Sequence, residues 1–305
     1  MAPASPPIGP RGQAGEPPAS RRALGIALMV CSAFALGLSP SLARFAYRDG
    51  IDVLTLATVR GLIAGAAILA TLALLGRPVR PTAGTLAPYL GLGVAMTLTS
   101  YGYLGAIRYI PVGLAVLTFF TFPLLVGLIS RFTEGAPLPW SRLVAIVTGF
   151  MGLVLVLGVS FETLDPRGIA LALLAAVSVA VQITGGARLM RRQSPMLVTG
   201  QMMLWAGVIL AAGLAIAGGP QPPVSAVGWL ATFGVAAAFM VGILCFFGGV
   251  SMIGPVPAAI IANLEPLVAI SFAFLLLGEI LEPLQLVGAA LVIGAIVAGQ
   301  LAGRA

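Results

Sequence analysis

The chain has 305 residues, of which 59% are hydrophobic and 8% charged, and it carries a net charge of +7. Its mean hydropathy of +1.09 excludes a soluble domain, because no soluble fold hides that much apolar surface. The positive charge does not point to nucleic acid, because all sixteen basic residues are Arg and, apart from Arg60, they are divided unevenly between the two sides of the membrane rather than gathered on one patch.

Residues 1–20, rich in Pro, Gly and Ala, cannot bury a core and read as a disordered cytoplasmic tail. Apolar windows of roughly 20 residues then predict ten spans. They lie near 23–43, 52–75, 84–107, 110–132, 140–159, 167–188, 196–217, 226–250, 256–278 and 283–303. A cleaved signal peptide is the rival reading of the first forty residues. A retained helix is preferred, because the apolar stretch after Arg21-Arg22 is about 20 residues long and no small-x-small cleavage site stands out.

Span 1 carries Cys31, Ser39 and Pro40, and span 2 carries Arg60. Span 3 holds Thr99, Ser100, Tyr101 and Tyr103, and span 4 holds Thr118, Thr121 and Pro123. In the second half, Gln182 lies in span 6, Gln201 and Trp205 in span 7, Cys245 in span 8, and Asn263, Glu265 and Pro266 in span 9. The joins at Tyr109 and Gly254 are so short that the flanking helices must form hairpins. The two cysteines are expected to pack rather than to bond.

The second half repeats the first. A shift of 143 residues lays Gly25-Ile26-Ala27-Leu28 on Gly168-Ile169-Ala170-Leu171, Pro123-Leu124 on Pro266-Leu267, and Leu143-Val144 on Leu286-Val287. Each copy, 22–159 and 165–303, holds five spans. An odd number means that the second copy enters the membrane from the opposite side. The expected fold class is therefore an all-α membrane protein of ten transmembrane helices in two inverted five-helix repeats, an architecture of secondary transporters.

Charge sets the orientation. With the N-terminus inside, Arg11, Arg21, Arg22, Arg77, Arg80, Arg131, Arg142, Arg188, Arg191, Arg192 and Arg304 face the cytoplasm. Only Arg44, Arg48, Arg108 and Arg167 face out, beside Asp49, Asp52, Glu162, Asp165, Glu279 and Glu282. That imbalance predicts both termini in the cytoplasm.

Absences narrow the function. There is no His, no nucleotide-binding GxxxxGK[ST] loop and no acid cluster to hold Mg²⁺. No catalytic residue, cofactor or metal is expected, and the chain reads as a carrier rather than an enzyme. Its partners are the lipid bilayer and a small-molecule substrate, with no nucleic acid, and it is expected to act as a monomer.

Arg60 and Glu265 are the ionisable residues deep in the spans. Arg60 lies eight residues in from Asp52 at the outer side and Glu265 eight residues in from Pro257 at the inner side, each ~12 Å into a core ~30 Å thick. A bare charge at that depth costs at least ~2.5 to 3.5 kcal/mol, so each must face protein, water or the other. Two readings stand: a structural bridge between spans 2 and 9, or a gate or substrate-contacting pair. The repeat places Met203 opposite Arg60 and Phe122 opposite Glu265, so only one half carries each charge.

Pro40, Pro123 and Pro266 each delete a backbone hydrogen bond inside a span, so they mark packing kinks or bends that line a cavity. Ser39, Thr99, Ser100, Tyr101, Tyr103, Thr118, Thr121, Gln182, Gln201, Trp205 and Asn263, with Arg60 and Glu265, are the candidate cavity-lining residues. Uncharged hydrogen-bonding groups beside aromatic rings suit a small amphipathic solute. The alternative for each is an interhelical hydrogen bond.

The run Pro255-Val256-Pro257 through Asn263-Leu264-Glu265-Pro266, then Gly278-Glu279 and Gln285-Leu286-Val287-Gly288-Ala289-Ala290-Leu291-Val292-Ile293-Gly294, resembles the end of an EamA repeat of the drug/metabolite transporter superfamily. The likeness extends from about residue 22 to 303, and Arg60 fits the intramembrane arginine usual in that family. The first copy departs from the pattern, with Phe122 where a Glu would precede Pro123 and Ala136 where the later Glu would stand. The resemblance implies a ten-helix carrier of the bacterial cytoplasmic membrane that exports metabolites by alternating access. Within the family the chain looks most like the aromatic and neutral amino acid exporters of the YddG type. A broad drug or metabolite efflux carrier is the nearest alternative, and an intramembrane enzyme or a passive channel the more distant ones.

Overall fold

The computed structural model describes residues 19–81, 84, 86–106, 109–134, 139–158, 165–277 and 282–301. Residues 1–18 of the expected tail, and Arg11, Arg108, Glu162, Glu279 and Arg304 of the charge reading, lie outside the described residues.

Twelve helices make up the regular structure among the described residues. In the first half these are α1 (Ala19–Arg48), α2 (Val53–Leu74), α3 (Leu86–Ala106), α4 (Val112–Phe119), α5 (Phe122–Glu134) and α6 (Trp140–Leu157). The second half contains α7 (Pro166–Leu189), α8 (Pro195–Ile216), α9 (Ala226–Ile253), α10 (Pro255–Ala262), α11 (Leu264–Leu277) and α12 (Pro283–Leu301). Among the described residues nine segments are long and apolar enough to cross a membrane, and α3 has 21 residues, so the chain is a multi-pass protein of nine to ten membrane-length helices.

Spans 4 and 9 are broken rather than bent. α4 stops at Phe119 and α5 resumes at Phe122, with Pro123 in its first turn; α10 stops at Ala262 and α11 resumes at Leu264, with Pro266 in its first turn. Proline offers no N–H to the carbonyl four residues back and clashes with it, which accounts for both interruptions at equivalent points of the repeat. Short bonds close the gap: Thr121 N–H donates to the Thr118 carbonyl at 3.2 Å, and Asn263 N–H to the Ile260 carbonyl at 3.3 Å. Pro40, by contrast, lies within the continuous α1.

Side-chain caps set several helix starts. Asp52 accepts from the Leu54 and Thr55 amides at 2.8 and 3.0 Å, Ser194 from Leu197 at 3.2 Å, and Ser225 from Gly228 at 3.2 Å. Gly254, at φ +85°, turns α9 directly into α10, the tight hairpin expected there.

The helices pair across the two halves. α1 packs on α9, α3 on α7, α2 on α8, α6 on α12 and α5 on α10. Exchanging the halves maps the first four of these pairs onto the same four. Glycines permit the closest approaches: a Cβ on Gly65 would fall 2.5 Å from the Leu204 nitrogen, and one on Gly288 2.6 Å from the Gly152 carbonyl. Cys31 and Cys245 are free thiols whose sulfurs lie 3.6 Å apart across the α1–α9 contact.

At the end of the bundle where α1 finishes, the loop 49–52 is stitched to the loop before α9. The Ser225 amide donates to the Asp49 carboxylate at 2.7 Å, and the Gln221 amide to the Thr55 hydroxyl at 3.0 Å. Bonds from Ser225, through its amide and then its hydroxyl, hold the Asp49 carboxyl below its ordinary range. Burial pushes Asp52 upward, but bonds from the Thr55 hydroxyl and the Thr55 and Leu54 amides outweigh it, leaving that carboxyl lowered too.

Candidate functional site

A cavity of about 250 Å³ lies at the centre of the bundle, where the broken helices meet α1, α2, α3, α7 and α9. Its polar groups are few. Ser39 and Ser100 are buried in its wall, and Gln182 donates to the Thr99 hydroxyl at 2.6 Å and to the Ser178 carbonyl at 3.3 Å, linking α7 to α3. Arg60 enters from α2 and Glu265 from α11.

The rest of the wall is aromatic and aliphatic. Tyr103 meets Phe119 edge-on at 5.6 Å between centroids, and Phe119, Phe120 and Phe122 form a cluster with centroids 5.4 to 5.5 Å apart. Phe239, Phe246 and Phe247 line the opposite side from α9. The Arg60 guanidinium sits 4.2 Å from the Phe239 ring centroid. That contact holds a cation in a largely apolar wall by cation–π attraction, so the structural bridge between Arg60 and Glu265 is not what fixes the arginine. No ion pair joins Arg60 to Glu265 among the described residues. Both are half-buried on the cavity surface.

A second cavity, of about 300 Å³, adjoins the first toward the end of α1. Pro40, Tyr103, Phe120 and Glu265 line both, so they form the partition between them. Ser41, Arg44, Leu157 and Pro266 belong to the second cavity alone.

Of the residues selected from sequence, Ser39, Pro40, Arg60, Thr99, Ser100, Tyr103, Gln182 and Glu265 are brought together around the central cavity. The others line neither cavity, apart from Pro266 in the second. Tyr101 is 64% exposed on the bundle exterior: two residues before Tyr103 on one helix, it points to the far side. Thr118 and Thr121 turn their hydroxyls back onto the Leu114 and Thr118 carbonyls at 2.8 and 2.7 Å. Gln201 donates to the Val79 carbonyl at 2.7 Å and so ties α8 to the loop after α2. Trp205 packs where Gly93 leaves room for it, Asn263 is buried at the α10–α11 break beside Gly149, and Pro123 starts α5. For these residues the interhelical-bond or packing alternative is what the geometry displays.

The phenylalanine wall was not selected from sequence. Phe119, Phe120 and Phe122 flank Pro123, and a proline break faces a cavity more often than a lipid tail; that adjacency was the available signal.

A profile of the EamA-like transporter family matches residues 23–158 and 166–298. A solved crystal structure superposes with a TM-score of 0.76 at 21% identity, covering 94% of this chain and 99% of that one. At that identity the likeness shows the fold alone. No curated protein matches the chain.

Proposed function

The chain belongs to the EamA-like transporter family, and from that premise we propose that it is a secondary carrier exporting small amphipathic metabolites, aromatic and neutral amino acids first among them. In this reading it is a ten-helix, YddG-type carrier of the bacterial cytoplasmic membrane with both termini in the cytoplasm. Its two five-helix halves are inverted and alternate access to the central cavity.

The observation that carries the reading is the lining of that cavity: one guanidinium, one carboxylate and a few hydroxyls set in phenylalanine. Such a site orients a zwitterion by its charged ends and receives an apolar side chain against the rings. A highly anionic substrate such as a sugar phosphate would need several buried cations, and Arg60 is the cation lining this cavity. The volume of about 250 Å³ lies below the range of roughly 300–1,000 Å³ typical of drug-sized sites, which favours a metabolite over a broad drug efflux role.

The test is uptake by the purified protein in liposomes. Radiolabelled L-phenylalanine and L-leucine should enter saturably and compete with one another, whereas L-glutamate and L-lysine should compete poorly. Failure of all four to exchange would overturn the amino acid reading. Conversion of the solute would indicate an enzyme, and uptake without saturation a channel.

A further inference from the structure

Pro40, Pro123 and Pro266 are the prolines inside membrane-spanning segments beyond a helix's first residues, once α4–α5 and α10–α11 are each taken as one span. Each releases the carbonyl four residues before it from the helical ladder. Those carbonyls belong to Leu36, Phe119 and Ala262, and all three residues line the central cavity. They come from α1, α4 and α10, so three chain segments each bring a residue with a released carbonyl to the wall of one cavity. Among the described residues, no N–H of a turn or loop donates to any of the three. Glu265 lines the same cavity one helical step beyond Ala262.

The three carbonyls and the Glu265 carboxylate are the pure acceptors here, beside the Ser39, Ser100 and Tyr103 hydroxyls, which both donate and accept. Among the side chains lining the cavity, Arg60 brings the guanidinium donors and stands over Phe239, and the Gln182 amide is already committed to Thr99 and Ser178. Three neutral carbonyl dipoles and one carboxylate make an environment for a positive charge with hydrogen-bond donors.

We propose that Leu36, Phe119 and Ala262, through their proline-released carbonyls, together with the Glu265 carboxylate, form a monovalent-cation subsite that holds the primary ammonium of the transported solute. The assignment rests on the carrier reading above and deepens it. A primary ammonium has three N–H donors and one charge, matching three carbonyls and one carboxylate. Arg60, in the central cavity alone, takes the carboxylate end. Glu265 also lines the second cavity, whereas Leu36, Phe119 and Ala262 line the central one alone, so the subsite reaches the partition through its carboxylate, and the solute passes that partition amine first.

The test is ligand protection of the purified full-length protein against thermal unfolding, with defined probes. Phenethylamine should protect, and replacing its N–H groups stepwise with methyls should weaken protection, by about tenfold or more in the concentration needed for the quaternary trimethyl form. N-acetyl-L-phenylalanine and 3-phenylpropionate should protect poorly beside L-phenylalanine. Glu265→Gln should weaken phenethylamine by a similar factor. Pro266→Ala, which restores an N–H for the Ala262 carbonyl, should weaken it as well.

The methylation series uses the unaltered protein, so it decides the matter even where a variant does not fold. Equal protection by primary and quaternary amines, or better protection by 3-phenylpropionate, would overturn the subsite. Protection by sodium chloride but not choline chloride, in competition with phenethylamine, would support the subsite and assign it to a metal cation. If phenethylamine behaves as stated and no amino acid is exchanged, the subsite stands and the amino acid reading falls. If amino acids exchange while their N-acetyl forms exchange as well, the reverse holds.

Discussion

Arg60 and Glu265 face one cavity from α2 and α11 without an ion pair between them, the arginine resting instead on Phe239. Two charges at membrane depth that do not neutralise each other directly are available to a third party. Arg60→Gln should therefore raise the KM for L-phenylalanine about tenfold or more in liposomes, with a smaller change in kcat. Arg60→Lys should fall between, because it keeps the charge and loses the planar face. A variant with normal KM and a lowered unfolding temperature would make Arg60 a structural residue.

Phe120 and Tyr103 stand in the partition between the two cavities. Phe120→Ala removes a ring from that wall and should join them. The expected consequence is a non-saturable component in uptake of labelled L-phenylalanine on top of the carrier rate. Unchanged, fully saturable uptake would remove Phe120 from the partition.

Gly65 leaves no room for a side chain, since a Cβ there would meet the Leu204 backbone at 2.5 Å. Gly65→Leu should push α2 off α8 and cost about 1–3 kcal/mol of stability. A fall in the unfolding temperature in detergent measures it. Gly76, whose Cβ would meet nothing within 4 Å but whose φ is +65°, should respond through backbone strain instead, and less strongly.

Much of this fold is legible in the sequence. The 143-residue self-match, the apolar windows and the turns at Gly254 and Gly218-Gly219 mark the elements, and Pro123 and Pro266 mark where two of them break. The site is less legible, for a physical reason. A spanning helix is apolar all round, so periodicity does not tell its cavity face from its lipid face. Tyr101 and Tyr103 look alike in sequence and point to opposite sides. Thr118 and Thr121 satisfy their own helix, a choice that depends on rotamers rather than on residue type. The phenylalanine wall carries no polar marker.

The Asp49–Ser225 contact makes stability depend on pH in a definite direction. Asp49 is lowered in the folded protein, so its contribution is present above the ordinary aspartate value near pH ~3.9 and is lost as pH falls through the folded value. The unfolding temperature should thus drop as pH is taken from about 5 to below 4. Asp49→Asn should flatten that part of the profile. A steeper profile in the variant would contradict the assignment.

Cys31 and Cys245 bring the two halves to within one disulfide of each other, with sulfurs 3.6 Å apart. Copper-phenanthroline oxidation should cross-link α1 to α9 and make Cys31→Ser and Cys245→Ser resistant. After cleavage in the loop between the halves, the two fragments should migrate together without reductant and apart with it. Fragments that always separate would mean that α1 and α9 are not neighbours in the membrane.

Counterflow tests the central claim most directly. Liposomes loaded with unlabelled L-phenylalanine and diluted into a trace of the labelled form should show a transient accumulation of label above its equilibrium level, because a carrier exposes one site to each side in turn. Label that rises monotonically to equilibrium at a rate proportional to concentration, with no overshoot at any loading, would contradict alternating access through the central cavity.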